Sequence, residues 1–232
     1  MPGKITGIVL AAGQGRRMGS DIPKQFIKVG GRMLICYSLE AFEKSCVDNV
    51  ILVAGADKIG LCREQIVGGG GFKKVSVVIA GGDSRTASVY NALRVVGDAD
   101  VVLIHDGARP CVTPQIIDDV AHSAALYGSA TSGVPAKNTI KTANTDAFAV
   151  DTPDRSTLWE IHTPQGFLFP DILRAHRMYA EDPDSPVVTD DTVIAERYLG
   201  VRTKLVAGSY KNIKVTTPED LMCAAVYLGI KP

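Results

Sequence analysis

Ile5-Thr6-Gly7-Ile8-Val9-Leu10-Ala11-Ala12-Gly13-Gln14-Gly15-Arg16-Arg17-Met18-Gly19, with Pro23-Lys24-Gln25 close behind, is the stretch on which the fold turns. The run Ile5–Leu10 is apolar without alternation, as in a strand covered on both faces. It ends in small residues, which let a backbone approach a ligand closely. Three cations, Arg16, Arg17 and Lys24, follow. A strand end furnished this way suits a triphosphate. Two other glycine-rich fingerprints do not fit. A Walker A loop needs Gly-Lys-Ser/Thr after its second spacing, and two arginines stand here instead. A dinucleotide loop needs a third glycine opening a helix, and Met18 and Pro23 occupy that ground. A solvated basic loop is the alternative.

Outward from this segment, further apolar runs lie at Val50–Ala54, Val75–Ala80 and Val101–Ile104. Between them Ile35, Leu39, Phe42 and Cys46 share one helix face, as do Val89, Leu93 and Val96, and then Ile116, Val120 and Ala124 after Pro114. Strands alternating with amphipathic helices predict an α/β, Rossmann-like, mostly parallel sheet with helices on both faces. After about Pro135 the pattern turns polar. Lys137–Ala143 and Ala147–Asp151, around Asn144-Thr145-Asp146, read as an inserted β-hairpin arm too polar for a core. Helices are expected around Pro170–Tyr179 and Thr189–Leu199, a strand at Thr203–Ala207, and an extended segment at Ile213–Thr216. A last helix opens with Thr217 as N-cap and Pro218 in the first turn. The expectation is one domain over 1–232, with a projecting arm at about 136–160.

Lys plus Arg and Asp plus Glu number 25 each, so the formal charge is zero and no broad attraction to nucleic acid is indicated. A polyanion site must gather its cations locally. No apolar run approaches the ~20 residues of a membrane span. Cys36, Cys46, Cys62, Cys111 and Cys223 are widely spaced and odd in number, which predicts reduced thiols and a cytoplasmic setting. The N-terminal residues carry no signal-peptide pattern.

Chemistry is expected beyond the carboxyl ends of the strands. His105-Asp106-Gly107-Ala108-Arg109-Pro110 ends the fourth strand. Asp106 there is a natural Mg²⁺ ligand, or a turn cap. Arg109 would neutralise phosphate or pair with Asp106, and His105 reads as a packed strand residue. Gly81-Gly82-Asp83-Ser84-Arg85-Thr86-Ala87-Ser88 ends the third strand. Its glycines allow contact with a base or ribose, and Ser88 reads as a helix cap or a ligand contact. Thr139 and Arg155 flank the arm, and Lys211 and Lys214 lie in a late segment. Thr189-Asp190-Asp191 reads first as an N-cap with acids in the first turn, and second as a contact to substrate hydroxyls. No nucleophile stands beside a base in any known motif, which leaves chemistry run by positioning and charge neutralisation.

Taken together, Ala11-Ala12-Gly13-x-Gly15-x-Arg17-Met18-Gly19, Pro23-Lys24-Gln25, Gly81-Gly82-x-x-Arg85-x-x-Ser88-Val89, His105-Asp106-Gly107-Ala108-Arg109-Pro110, Asp154-Arg155-Ser156-Thr157-Leu158-Trp159, Thr163-Pro164-Gln165 and Asn212-Ile213-Lys214-Val215-Thr216 resemble the 2-C-methyl-D-erythritol 4-phosphate cytidylyltransferase family. The resemblance implies transfer of CMP from CTP to methylerythritol phosphate in isoprenoid precursor synthesis. It implies that Arg17 and Lys24 stabilise the transition state, and that Arg155 and Lys214 position the acceptor phosphate. CTP would lie on Ala11, Ala12, Gly13, Gly15, Gly82, Asp83, Ser88 and Gly107. Mg²⁺ would sit on Asp106, and Thr139 would contact substrate; Arg109 and Thr189 join it as substrate-contact candidates from the residue reading above. A homodimer clasped through the arm is also implied, with Thr139 reaching the neighbouring subunit's site. Asn138 stands where an aspartate is common, and Lys211 where many relatives carry an acid. Ribitol 5-phosphate cytidylyl transfer is the rival activity, a nucleotide-sugar glycosyltransferase another, and a nucleotide-sensing module without turnover the rival of another class.

Overall fold

The structure, a computed structural model, describes residues 3–13 and 22–230. The elements run β1 (Ile5–Ala11), β2 (Lys28–Val29), β3 (Arg32–Met33), α1 (Leu34–Glu43), β4 (Asn49–Ala54) and α2 (Ile59–Leu61), which continues into a π-helical stretch at Cys62–Gly68. Then come β5 (Val75–Ala80), α3 (Arg85–Leu93), β6 (Val101–Asp106), α4 (Pro114–Tyr127), β7 (Ser129–Pro135), β8 (Thr142–Ala143), β9 (Ala149–Asp151) and β10 (Trp159–Leu168). α5 (Phe169–Glu181), α6 (Asp191–Leu199), β11 (Lys204–Ala207) and α7 (Pro218–Tyr227) complete the chain.

Seven strands form the central sheet in the order β11-β7-β10-β6-β1-β4-β5. β1 pairs in parallel with β4 and β6, β4 with β5, and β11 with β7. Only β10 runs antiparallel to both neighbours, β6 and β7. The alternation of side chains along a strand explains the two-sided cover. Val9, Leu52 and Leu103 pack with Ile35, Leu39 and Phe42 of α1 and Ile117, Val120 and Ala121 of α4. Ile8, Ile51, Val53, Val102 and Ile104 face the other way, onto Val89 and Leu93 of α3, Ile172 of α5 and Ala195 of α6. Each fully buried aliphatic or aromatic side chain contributes ~1.5–3 kcal/mol, so the three strands β1, β4 and β6 anchor the sheet. α7 closes one end, where Ala224 packs with Val29, Leu34 and Val215.

The mostly parallel α/β architecture with helices on both faces and a hairpin is as the sequence predicts. Two strands go beyond the expectation. β7 and β10 carry Ser, Thr, Gly, His and Pro, and they are interior strands all the same. Their buried polar groups bond to each other: Thr131 Oγ1 to His162 O at 3.2 Å, and Gln165 Nε2 to Thr131 Oγ1 at 3.3 Å. The ladder between β7 and β10 breaks between Ile161 and Gln165, around the cis peptide Thr163-Pro164. β8 and β9 form the predicted hairpin, and residues 137–152 are exposed throughout. Thr217 caps α7 as expected, within a capping box completed by Asp220. Among the described residues no helix is long and apolar enough to cross a membrane.

Candidate active site

The carboxyl ends of β1, β5 and β6 meet the middle of β10 at one edge of the sheet. Ala11 is buried, Ala12 half-buried and Gly13 exposed. The Gln25 side-chain amide donates to Ala11 O at 2.6 Å and Gly13 O at 2.8 Å. This ties the short 3₁₀ turn Lys24–Phe26, and with it the backbone of Lys24, to the end of β1 and Gly13. Gly15 and Arg17 lie outside the described residues.

The glycines after β5 and β6 have a reason other than ligand contact. A Cβ at Gly81 would come within 2.5 Å of the Ala12 methyl. One at Gly82 would come within 2.6 Å of the Ala87 methyl, and one at Gly107 within 2.3 Å of Ile35 Cδ1. The chain's own atoms fill that space, so close packing explains these glycines before any base or ribose does. Ser88 is not the helix cap. Ser84 caps α3, accepting from Ala87 N at 3.0 Å. The Ser88 hydroxyl accepts from Gly82 N at 3.0 Å and donates to Ser84 O at 2.8 Å, holding the loop that carries Asp83.

Asp106 sits at the end of β6, buried, with its two oxygens on different cations. Arg85 Nε lies 3.1 Å from Oδ1 and Lys214 Nζ 2.7 Å from Oδ2. Burial pushes this carboxyl up, but Arg85 and Lys214 more than reverse it, so Asp106 is held well below the usual carboxylate range. Arg109 does not pair with it. Its Nη1 donates to Asn212 O at 2.8 Å, a bond that fastens the late segment bearing Lys214. Burial pulls the Arg109 guanidinium below its ordinary value. Asn212 Nδ2 in turn donates to Thr163 O at 2.9 Å.

His105 is the packed strand residue that the sequence predicts. Its Nε2 lies 3.3 Å from Arg109 O and its Nδ1 3.0 Å from Thr163 Oγ1, while Thr163 Oγ1 also accepts from Asp106 N at 3.1 Å. Burial lowers its pKa to about 4, so the ring is neutral and spans these groups with Nε2 as donor. The pair braces backbone rather than activating a hydroxyl.

Asp106, Arg109, Thr189 and Lys214 line one cleft of ≈ 300 Å³, together with Arg85. Arg155 does not. It is exposed at the root of the arm, where its Nη1 donates to Lys137 O at 2.8 Å, and it lines a separate groove of ≈ 560 Å³ with Lys137 and Asp154. Thr139 is exposed on the arm and lines neither. Sequence reading missed Arg85 and Asp191 as site residues. Asp191 is wholly buried at the start of α6, behind the Asp190 cap, and its Oδ2 accepts from Arg85 Nη1 at 2.7 Å. No local signal marked Asp191, because an acid in the first turn of a helix is already favoured by the helix dipole.

A loop of small residues beside an ionised carboxylate and convergent cations, at the strand ends of a mostly parallel sheet, defines a nucleotidyltransferase. The family model described as IspD, 2-C-methyl-D-erythritol 4-phosphate cytidylyltransferase, matches residues 5–230. The chain is 45% identical over 223 residues to the protein of that name from Clostridium perfringens, covering 96% of this chain and 97% of that one. It is 43% identical over 224 residues to the one from Lachnospira eligens, at 96% and 98%. The crystal structure of 4-diphosphocytidyl-2C-methyl-D-erythritol synthase from Anaerococcus prevotii superposes with a TM-score of 0.84 at 26% identity, covering 97% of this chain and 98% of that one. The chain belongs to the 2-C-methyl-D-erythritol 4-phosphate cytidylyltransferase family.

Proposed function

We propose that the cleft at Asp106 and the adjoining loop of Ala11, Ala12 and Gly13 run the family's reaction. As a member of this family, the chain is a cytidylyltransferase that moves CMP from CTP to the phosphate of 2-C-methyl-D-erythritol 4-phosphate and releases pyrophosphate, in isoprenoid precursor synthesis. The observation that carries the assignment of the cleft is the Asp106 carboxylate held between Arg85 and Lys214, next to the glycine loop.

The acceptor is a phosphate monoester whose second pKa is about 6, so near pH 7 it is largely a dianion and attacks the α-phosphorus without a general base. The barrier is repulsion between anions and charge growing on the leaving pyrophosphate. Lys24 and Arg17 stabilise that charge, and Lys214 orients the attacking oxygen. Lys214 is 38% exposed in its side chain, so it can exchange Asp106 for the acceptor phosphate. Gly82, Asp83, Ser88 and Gly107 border the nucleotide, and Thr189 faces the acceptor's hydroxyls. Arg109 acts from beneath, through Asn212.

Mg²⁺ fits the donor set: an ionised strand-end carboxylate beside a phosphate loop is the sparse protein contribution that this ion takes, the rest coming from water and substrate phosphate. Asp106 would hold it, and it would add charge neutralisation on the triphosphate. The arm's exposed Phe148 and Val150 (70% and 69%) support a homodimer in which Thr139 and Arg155 of one copy serve the other's cleft. The free cysteines support a reducing, cytoplasmic setting.

Pyrophosphate release with CTP tests the assignment. Methylerythritol phosphate is expected to give turnover, and ribitol 5-phosphate little. Lys24→Ala is expected to lower kcat by ~10²–10³ while the circular dichroism spectrum is unchanged. Near-normal turnover of that variant removes Lys24 from the reaction. CTP binding with no pyrophosphate from any polyol phosphate favours the sensing module instead.

A further inference from the structure

Arg85 carries two carboxylates at once. Its Nε is 3.1 Å from Asp106 Oδ1, and its Nη1 is 2.7 Å from Asp191 Oδ2. The second carboxylate does not line the cleft but lies just behind it, fully buried, with His176 Nε2 at 3.2 Å from its other oxygen and its own backbone N–H donating to Gln165 Oε1 at 2.9 Å. A plain structural ion pair would need one acid for one guanidinium. Here one guanidinium faces two acids, which leaves one net negative charge on the trio. Lys214 balances that charge only while it rests on Asp106.

The geometry points to Asp191 as a positioning residue for nucleotide binding, acting through Arg85: it fixes the guanidinium on Asp106 Oδ1 and takes up half of its charge, so that Asp106 stays an anion able to hold the metal of metal-bound CTP. This rests on the reading of Asp106 given above. Without Asp191, Arg85 would neutralise Asp106 outright, and the pull on a cation would fall. With it, departure of Lys214 toward the acceptor phosphate leaves an anionic trio at the strand end. The orientation is fixed at the same stroke, because the planar guanidinium fork keeps one edge on each acid. Asp191 has no path to the substrate of its own.

Calorimetric titration of the full chain with CTP, once in Mg²⁺ and once in EDTA, tests this. Partners standing behind a metal ligand are typically worth roughly 10–100-fold in affinity. Asp191→Asn keeps the shape and removes the charge. It is expected to weaken CTP binding by about that factor in Mg²⁺, yet leave metal-free CTP bound as well as by the wild type or better, since a negative charge near the triphosphate has gone. General damage to the fold weakens both titrations alike, and that result overturns the proposal, as does wild-type binding in Mg²⁺. Arg85→Lys keeps a cation beside Asp106 but has no second edge for Asp191. It is expected to lose Mg²⁺-dependent binding as well, and Asp191→Asn added to it is expected to cost little more. Losses that multiply in the double variant overturn the link through Arg85. Should Asp191→Asn not fold, Arg85→Lys decides alone, and wild-type binding by it overturns the proposal. Asp106→Asn separates the two readings: if it binds CTP in Mg²⁺ as the wild type does, the role of Asp106 falls, and this one with it.

Discussion

Single side chains at this site differ in whether their charge is permanent. His105 is neutral because burial brings its pKa to about 4, against ~6.5 for a free imidazole. The unfolded chain therefore takes up a proton between those values and the folded chain does not. The stability this neutral ring supplies is complete above about pH 6.5 and drains away as pH falls toward 4, on the order of 3 kcal/mol. Asp106 and Asp191 are held low, so their contribution is intact above about pH 4 and is lost only at still lower pH. Urea midpoints measured from pH 7.5 to 4.5 should fall for the wild type and fall less steeply for His105→Gln. His162, lowered to about 4 by burial, keeps some slope in both. Parallel curves for the two proteins would contradict the buried neutral ring. At this scale much was legible before any coordinates. Asp106 stood out as a carboxylate at a strand end and Lys24 as one of three cations following a loop of small residues, whereas Lys214 looked like a surface charge until the family resemblance gave it a role. Asp191 did not, because an acid early in a helix normally needs no account beyond the helix dipole. Its burial comes from partners far off in the sequence, Arg85 of α3 and Gln165 of β10, which meet it from other elements.

Elements were readable to the degree that their burial is apolar. β1, β4 and β6 are runs of Val, Ile and Leu covered on both faces, and their unbroken apolar character announces them. β7 and β10 are equally interior, but Thr131, Thr163 and Gln165 on them find partners in each other's strand and in Asp106 N and Asp191 N. Polar residues bonded in an interior look, in one dimension, like a loop. The C-terminal helix shows the opposite case, where a local signal was sufficient. Asp220 Oδ2 accepts from Thr216 N at 2.8 Å, Thr216 Oγ1 at 2.7 Å and Thr217 N at 2.9 Å. These bonds fix the turn just after Lys214. Asp220→Ala is expected to cost ~1–2 kcal/mol, the upper range for a lost cap, and to raise KM for the acceptor several-fold, because the cation's backbone loses its anchor. Thermal melts and initial rates check the two parts. A lower Tm with an unchanged KM would show that Arg109 and Asn212 hold Lys214 unaided.

At the scale of the whole molecule, the cations are divided between two places. Lys214 lines the cleft, and Arg155 stands at the root of an arm that leaves the body. The proposed homodimer would join them, so assembly and turnover should fail together. Phe148→Asp with Val150→Asp is expected to give monomers in sedimentation velocity and to lose turnover, with CTP binding kept. A fully active monomer would sink the shared site. Elsewhere the body and the cleft are not separable. Gly107 follows Asp106 at the end of β6, yet what forbids it a side chain is Leu10 O beside it and Ile35 Cδ1 below, on the face of α1 that fills the core. The oil of the interior thus reaches up to the strand end where Asp106 stands. Trimming position 35 frees one side only, because Leu10 O of β1 would still stand 2.8 Å from a methyl at 107: Gly107→Ala is expected to lower the Tm even with Ile35→Val beside it.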